Sequence, residues 1–155
     1  MTKEQFTQVV LELQSTLYHV ARTQLYSSAD REDAVQEALR RAWEKRDRLR
    51  DQEAVRVWLI RILLNVCHDI QKANKRMMPV ERIPEHAEKQ EEHTLLDGLM
   101  TLPPKYRTVI VMHYVEDMEV AEISYILRIP QGTVKSRLAR GRNLLEKVLR
   151  EELTV

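Results

Sequence analysis

Apolar residues recur at intervals of three and four along most of this 155-residue chain, and this spacing limits what the chain can fold into. An α-helix turns once every 3.6 residues, so such intervals place an apolar stripe on one helix face. No segment alternates apolar and polar residues convincingly as a half-buried strand does. Three glycines and five prolines are too few for the many turns of a β-sandwich or barrel. We therefore predict an all-α protein.

The first half of the chain has three apolar stripes, which lie in residues 6–25, 35–43 and 55–70. The serines and the aspartate in residues 27–30 are turn and N-cap residues, so they separate the first two stripes. We predict three helices, the third ending near Arg76.

A change of composition follows this third helix. Residues 77–98 carry two basic and six acidic side chains, with two prolines and little apolar periodicity. We predict an exposed, flexible linker at 77–94 that joins a helical domain at 1–76 to a second one at 95–155. The second domain shows four shorter helical segments, of which the first stops before the two prolines at 103–104.

Residues 120–142 form the most specific local pattern. A short apolar-faced helix (VAEISYIL) precedes a turn at 128–130, and a second helix is predicted to begin within 130–133. This is a helix-turn-helix, whose second helix fits the DNA major groove. Three polar residues share the face expected to meet base edges: Lys135, Ser136 and Arg140. Three flanking residues are expected to contact phosphates: Thr133, Arg137 and Arg142. The alternative is a basic face that meets only solvent.

The segment 102–149, and above all IPQGTVKSRLARGR at 129–142, resembles the promoter-reading domain of a known family. The family is that of the extracytoplasmic-function (ECF) sigma factors, RNA polymerase subunits of the sigma-70 group. The resemblance implies that Lys135, Ser136 and Arg140 read the −35 element. Arg128 stands where the family often has glycine or asparagine. A left-handed backbone at Arg128 would cost about 1 kcal/mol.

The first half resembles the other domain of the same family, in the same order along the chain. DREDAVQEALRRAW at 30–43 is similar to the polymerase-binding helix, and VWLIRILLNVCHDIQKANKR at 57–76 to the helix that reads the −10 element. The resemblance implies sigma region 2 followed by sigma region 4. It also implies three partners: core RNA polymerase, through the clamp coiled coil of its largest subunit, promoter DNA, and an anti-sigma factor.

Two polar stripes in this half are candidate sites. Four residues of the second helix lie three or four apart: Asp33, Gln36, Glu37 and Arg40. A mixed acidic and amide stripe complements a basic helical partner, although spacing alone equally fits an exposed face with incidental charge. Trp43 is predicted to be core rather than contact.

The third helix has a second polar stripe with cations at its end: Arg61, Asn65, His68, Lys72, Lys75 and Arg76. Such a stripe suits a DNA strand, although Asn65 could also be an ordinary surface amide. The resemblance implies that a flipped −10 base is held by the preceding loop, residues 49–56. This loop differs from the family pattern, because Leu49 replaces a common aromatic residue and the loop is unusually charged.

Enzymatic chemistry has little support in the sequence. There is no Gly-rich phosphate loop, HExxH motif or nucleophile motif, so we predict a non-enzyme without cofactor, metal or small-molecule substrate. His86 and His93 lie among acidic residues and could bind a metal weakly, but a solvated linker is favoured. Cys67 lies in an apolar stretch and is predicted to be buried. No signal segment or membrane span is apparent, so we expect a cytoplasmic protein.

Two other classes of protein would account for part of the sequence. A helix-turn-helix repressor or activator that binds duplex DNA without polymerase would explain the second half equally well. It would leave the motifs at 30–43 and 57–76 unexplained, and no heptad seam for a dimer is apparent. A structural or adaptor helical protein would leave the basic face of the last helix without a role.

Overall fold

The computed structural model describes residues 1–77 and 95–153, and their regular elements are all helical. Two compact units are formed. The first contains α1 (Lys3–Gln24), α2 (Ser28–Glu44) and α3 (Val55–Met77). The second contains α4 (Leu95–Met100), α5 (Pro104–Ile110), α6 (Val120–Leu127) and α7 (Gln131–Leu153). The all-α prediction is confirmed. The boundaries at 76 and 95 stay predictions, and the linker beyond Met77 lies outside the described residues.

Side-chain caps start the first two helices, and that of α2 lies at the predicted turn. The Thr2 hydroxyl accepts a hydrogen bond from the Gln5 amide at 3.2 Å, and the Gln5 side chain accepts one from the Thr2 amide at 2.9 Å. Ser27 caps α2 by accepting from the Asp30 amide at 3.0 Å. These bonds satisfy N–H groups that have no partner within the helix. The prediction of a cap within 27–30 is therefore confirmed.

Each helix of the first unit contributes to one buried core. Leu17 and Val20 from α1, and Leu63 from α3, have no exposed surface. Besides Val35, the buried α2 residues are three alanines spaced four apart, which are fully buried: Ala34, Ala38 and Ala42. Because alanine projects little beyond the backbone, the other two helices can approach α2 closely. The core therefore depends on α1 and α3 for its bulk.

Two residues with a predicted place in the core differ in depth. Cys67 is fully buried, and burial raises the pKa of its thiol to about 12. Trp43 is half-buried at the edge of the core, with its ring centroid 5.1 Å from that of Phe6 in an edge-to-face arrangement. The guanidinium carbon of Arg46 lies 3.8 Å from the Trp43 ring centroid and covers its outer side.

The connection between α2 and α3 contains two short 3₁₀ turns, at Arg46–Arg48 and Gln52–Ala54. The Asp51 carboxylate accepts a hydrogen bond from the Glu53 amide at 2.9 Å and fixes the second turn. This turn leads directly into α3 at Val55. The loop predicted at 49–56 is therefore two residues shorter, because Val55 and Arg56 are helical.

Buried polar contacts and close packing hold the second unit together. Arg107 is 3% exposed, and its Nη1 donates to the backbone oxygens of Leu102 at 3.0 Å and Met100 at 3.3 Å. These oxygens lie at and just beyond the end of α4, where carbonyls lack helical partners. Gly141 allows α7 to approach α5, since a Cβ there would lie 2.9 Å from Ile110 Cγ1.

The predicted helix-turn-helix is confirmed by α6 and α7. Arg128 ends α6 in the left-handed region, with φ 58° and ψ 44°. The Ser124 hydroxyl closes the turn by donating to the Ile129 oxygen at 2.6 Å. Pro130 comes just before α7, and its oxygen accepts from the Val134 amide at 3.1 Å. Pro130 is thus the N-cap residue rather than the first helical one.

Two features of the second unit differ from the sequence prediction. The helix α7 has 23 residues, as many as α3, although it was predicted among four shorter segments. Its second half packs against α4, where Leu145, Val148 and Leu149 lie within 4 Å of a Cβ built on Gly98. In addition, α5 continues into a π-helical turn at Val111–Val115, which the periodicity did not indicate.

Candidate functional site

The outer face of α7 carries the residues predicted to meet base edges. Lys135, Ser136 and Arg140 are exposed, whereas Val134 and Leu138 on the opposite side are buried. The hydrophobic core thus fixes the rotation of the helix about its axis. As a result, the three polar side chains face solvent together.

A shallow groove runs along the first three turns of α7. Ser136, Arg137 and Arg140 line it together with Tyr106 of α5. The Ser136 hydroxyl donates to the Gly132 oxygen at 2.9 Å, so its own lone pairs remain available as acceptors. Sequence analysis missed Tyr106 here, because its place in the apolar stripe of α5 indicated only a core residue. Its position beside α7 depends on tertiary packing.

The flanking residues differ in exposure. Thr133 and Arg137 are half-buried, and Arg142 is exposed. Arg142 donates through Nη1 to the hydroxyl of Tyr114, which lies 28 residues earlier in the chain. The Tyr114 ring makes an edge-to-face contact with His113, whose Nδ1 lies 2.7 Å from the Met118 oxygen. The predicted phosphate contacts of these flanking residues stay predictions.

The polar stripe of α2 forms an ion-pair network. Arg40 contacts Glu37 at 2.7 Å and Glu44 at 2.6 Å, and Arg41 contacts Glu37 at 3.1 Å. Arg41 also reaches Asp69 of α3 at 3.3 Å. The hydrogen bond from Arg40 is the largest cause, and that from Arg41 the next largest, of the lowering of the Glu37 pKa to about 2. The bond with Glu37 in turn raises the pKa of Arg40. Both charges are therefore present at neutral pH.

The same stripe forms one wall of a groove between α2 and α3. Asp33, Gln36, Glu37 and Arg40, the residues predicted from spacing, all line this groove. The other wall is formed by four residues of α3 that sequence analysis did not select: Val66, Asp69, Ile70 and Ala73. The apolar and polar pattern of these α3 residues can be read from the sequence. The pairing of the α2 and α3 faces cannot, because it depends on how the helices pack.

The second stripe of α3 lies on its solvent side. Asn65, His68, Lys72, Lys75 and Arg76 are exposed, and Arg61 is half-buried. In the preceding loop, Leu49 is half-buried and Arg50 is exposed. The structure thus brings the predicted −10 residues to one surface, and it leaves their individual roles as predictions.

The described residues offer neither a metal-binding cluster nor a membrane-spanning helix. Within the described residues, no group of three or more histidine, cysteine, aspartate or glutamate side chains could hold a metal ion. His86 and His93 lie outside the described part of the chain. None of the described helices is both long and apolar enough to cross a membrane.

Comparison with known proteins assigns both halves of the chain. Residues 9–77 match the family model of sigma-70 region 2, and residues 93–145 match that of sigma-70 region 4. The ECF RNA polymerase sigma factor SigW of Bacillus subtilis is 31% identical, over 96% of this chain and 91% of its own length. This chain is an ECF sigma factor of the sigma-70 family.

Other relatives agree with this assignment. The RNA polymerase sigma-E factor of Streptomyces coelicolor is 32% identical, over 96% of this chain and 86% of its own. Two solved structures share the fold at 24% identity. RpoE of Bartonella quintana, solved in complex with the anti-sigma factor NepR, has a TM-score of 0.78 over 95% of this chain and 98% of that chain. CnrH, solved with the cytosolic domain of CnrY, has a TM-score of 0.70 over 97% and 90%.

The family assignment settles the choice of function class. A sigma factor directs RNA polymerase to promoters, with region 2 recognising the −10 element and region 4 the −35 element. The prediction of a sigma factor is confirmed. A repressor that acts without polymerase is excluded, because the region 2 match covers the half of the chain which that alternative could not explain.

Proposed function

We propose that three exposed faces of this sigma factor divide its work. The α2 stripe docks on core polymerase, α3 holds the opened −10 strand, and the N-terminal part of α7 reads duplex −35 DNA. The observation that carries this proposal is that each polar face is exposed on a helix whose opposite face is buried. Catalysis belongs to the polymerase, so the sigma factor needs neither an active site nor a cofactor of its own.

The −35 role is supported by the chemistry of α7. Lys135 and Arg140 can donate to guanine O6 and N7, and Ser136 can hydrogen-bond either type of base. Thr133, Arg137 and Arg142 are assigned to phosphates because they flank this face. Such contacts release counterions, so binding should weaken steeply as salt increases.

The −10 role is supported by the charge of α3. Arg61, Asn65, His68 and Lys72 follow one line along the helix, and Lys75 with Arg76 extends its positive charge. A cationic track with amide and imidazole groups suits a single strand of DNA. The loop that ends at Ala54 would hold the flipped base.

Two protein partners complete the proposal. The α2 stripe would meet the clamp coiled coil of the largest polymerase subunit, since a helix can be recognised by a complementary polar stripe. An anti-sigma factor would hold the protein inactive by covering its two units. RpoE, which shares the fold, was solved in complex with the anti-sigma factor NepR. The protein would act in the cytoplasm, where bacterial polymerase works.

In vitro transcription with core polymerase over a pool of random promoters tests the proposal. Start sites that appear only with the protein, and that share −35 and −10 elements, are expected. Duplex binding without polymerase association or new start sites would refute it.

Replacing Arg140 tests the assignment of base contacts. Arg140→Ala should cost about 1–3 kcal/mol at one −35 base pair and relax specificity there, because a bidentate donor is lost. Selection from a randomised −35 duplex measures this change. Lys147→Ala, which removes an equal charge two turns further along α7, should leave the base preference unchanged. An unchanged preference for Arg140→Ala would remove this residue from base readout.

Replacing Asp33 and Gln36 together tests the polymerase face. Both side chains are exposed, so Asp33→Ala with Gln36→Ala should weaken binding to core polymerase without lowering the thermal unfolding temperature. Titration of labelled protein with core polymerase measures the affinity. Glu12→Ala with Gln14→Ala likewise removes one carboxylate and one amide side chain, from exposed positions of α1, and should change neither. Unfolding of the first variant would show that the stripe is structural.

A further inference from the structure

The α2 stripe assigned to polymerase binding is only one wall of the groove between α2 and α3. The other wall belongs to α3. The volume of the groove is about 690 Å³, and the groove is open to solvent rather than enclosed. Small-molecule sites instead enclose most of their ligand. An open groove between two helices can bind a third helix, which inserts a few side chains into the groove. The shape therefore suits a protein helix.

The α3 wall of this groove is mostly apolar, whereas the residues at its rim are charged. Val66 is buried, Ile70 is half-buried and Ala73 is exposed, so the α3 wall offers apolar surface next to solvent. Ala73 is also small, which leaves open space beside it. A partner would gain by placing an apolar side chain against this wall.

The charges of the rim leave a negative excess. Asp33, Glu37 and Asp69 oppose Arg40 and Arg41, and both arginines are already engaged by carboxylates. Asp33 forms no hydrogen bond or ion pair with any residue that the structure describes. The groove therefore complements a helix that carries a basic residue next to an apolar one.

Resting on the proposed docking of α2, we propose that the polymerase-binding surface is this two-helix groove, completed by Asp69, Ile70 and Ala73 of α3. The occupant is a basic amphipathic helix of core polymerase. The Glu37–Arg41–Asp69 contacts join the two walls and set the width of the groove. The polymerase thus recognises a pair of helices rather than one.

In this arrangement α3 has two neighbouring binding faces, one for polymerase and one for the −10 strand. At about 100° per residue, the groove residues and the stripe of Asn65, His68 and Lys72 are centred roughly a third of a turn apart. One helix then contacts polymerase on one side and the −10 strand on the other. Docking would immobilise the helix that captures the opened DNA.

Filling the groove tests this inference. Ala73→Arg adds bulk and a positive charge at an exposed helix position where arginine is well tolerated. The affinity for core polymerase should fall by about tenfold or more, because like charges then face each other across the interface. Gln14→Arg adds the same side chain to the exposed face of α1 and should change the affinity less than about twofold. Thermal unfolding confirms that both variants fold.

A second variant keeps the test independent of added bulk. Asp69→Asn retains the size of the side chain and removes one rim charge, so affinity should fall by roughly threefold at low salt and less at high salt. Undiminished affinity for both Ala73→Arg and Asp69→Asn, with loss for Asp33→Ala and Gln36→Ala, would overturn the two-helix groove and leave the α2 face in place. Undiminished affinity for all of these variants would instead refute the proposed docking face.

Discussion

Arg128 holds the tightest point of the helix-turn-helix in a conformation that suits glycine. Its φ of 58° places the Cβ close to the following carbonyl, a contact that glycine avoids. The turn is held nonetheless, because the Ile129 amide donates to the Ser124 oxygen at 3.2 Å and the Ser124 hydroxyl donates back to the Ile129 oxygen. The side chain itself is exposed and is not needed for packing.

Removing this Cβ should stabilise the second unit. Arg128→Gly is expected to raise its free energy of unfolding by about 0.5–1 kcal/mol, because the left-handed backbone then carries less strain. Urea unfolding followed by circular dichroism measures the change. Arg128→Ala keeps the Cβ and should give no gain. Equal gains from both variants would attribute the effect to the lost charge.

The sequence predicted which residues lie on the surface better than it predicted their partners. Contacts three or four residues apart, such as Arg40 with Glu37, follow from helix geometry and could be anticipated. Arg142 with Tyr114 joins residues 28 positions apart, and Arg41 with Asp69 joins two helices. No local pattern specifies such pairs, since they depend on how the helices pack.

At the scale of helices, the contact between α5 and α7 is made possible by Gly141. A Cβ at this position would lie 2.9 Å from Cγ1 and 3.2 Å from Cδ1 of Ile110. Gly132, nearer the start of the same helix, has no such neighbour within 4 Å. Neither glycine has a positive φ, so the two differ in packing rather than in backbone conformation.

Replacing each glycine by alanine should therefore have opposite effects. Gly141→Ala should lower the free energy of unfolding of the second unit by about 1–3 kcal/mol, because the helices must move apart. Gly132→Ala should raise it by up to about 1 kcal/mol, since alanine favours the helix. Urea unfolding of the two variants measures both. Stabilisation by Gly141→Ala would contradict the close approach of α5 and α7.

Helix positions were predictable because the periodicity of apolar residues reports directly on a buried face. The starts of α2 and α7 were also predictable, since Ser27 and Pro130 mark them chemically. The π-helical turn at Val111–Val115 was not, because one extra residue in a turn leaves the apolar pattern nearly unchanged. The α3 wall of the groove was missed for a different reason, which is that its role appears only when α2 lies beside it.

At the scale of the molecule, each unit has a core of its own. Leu17, Leu63 and Cys67 are buried in the first unit, and Val109 and Ile123 in the second. A cooperative unfolding transition reflects a shared core, so we expect the units to unfold in separate transitions.

Thiol labelling of Cys67 can follow the first unit alone. Its pKa is raised to about 12 by burial, so the native thiol is protonated and shielded at pH 8. Because the pKa of the folded-state thiol lies above its ordinary value of 9.0, the stability gained by burying the protonated thiol is fully present below pH 9 and is lost as pH rises through about 12. We expect slow labelling of the native protein and fast labelling in urea.

The same probe tests whether the units are independent. Gly141→Ala should shift the unfolding transition of the second unit to lower urea and leave the urea dependence of Cys67 labelling unchanged. Chain denatured in concentrated urea provides the reference for complete labelling. Faster Cys67 labelling in Gly141→Ala at low urea would mean that the two units unfold together.

The separate cores have a consequence for how such a protein can diverge. A mutation that weakens the packing of α7 lowers the stability of its own unit only. It therefore does not bring the unit that contains Cys67 closer to the minimum stability needed for function. Preferences for the two promoter elements can then drift, be selected, or be recombined between lineages one at a time. The two units can therefore evolve largely independently, although a single gene encodes both.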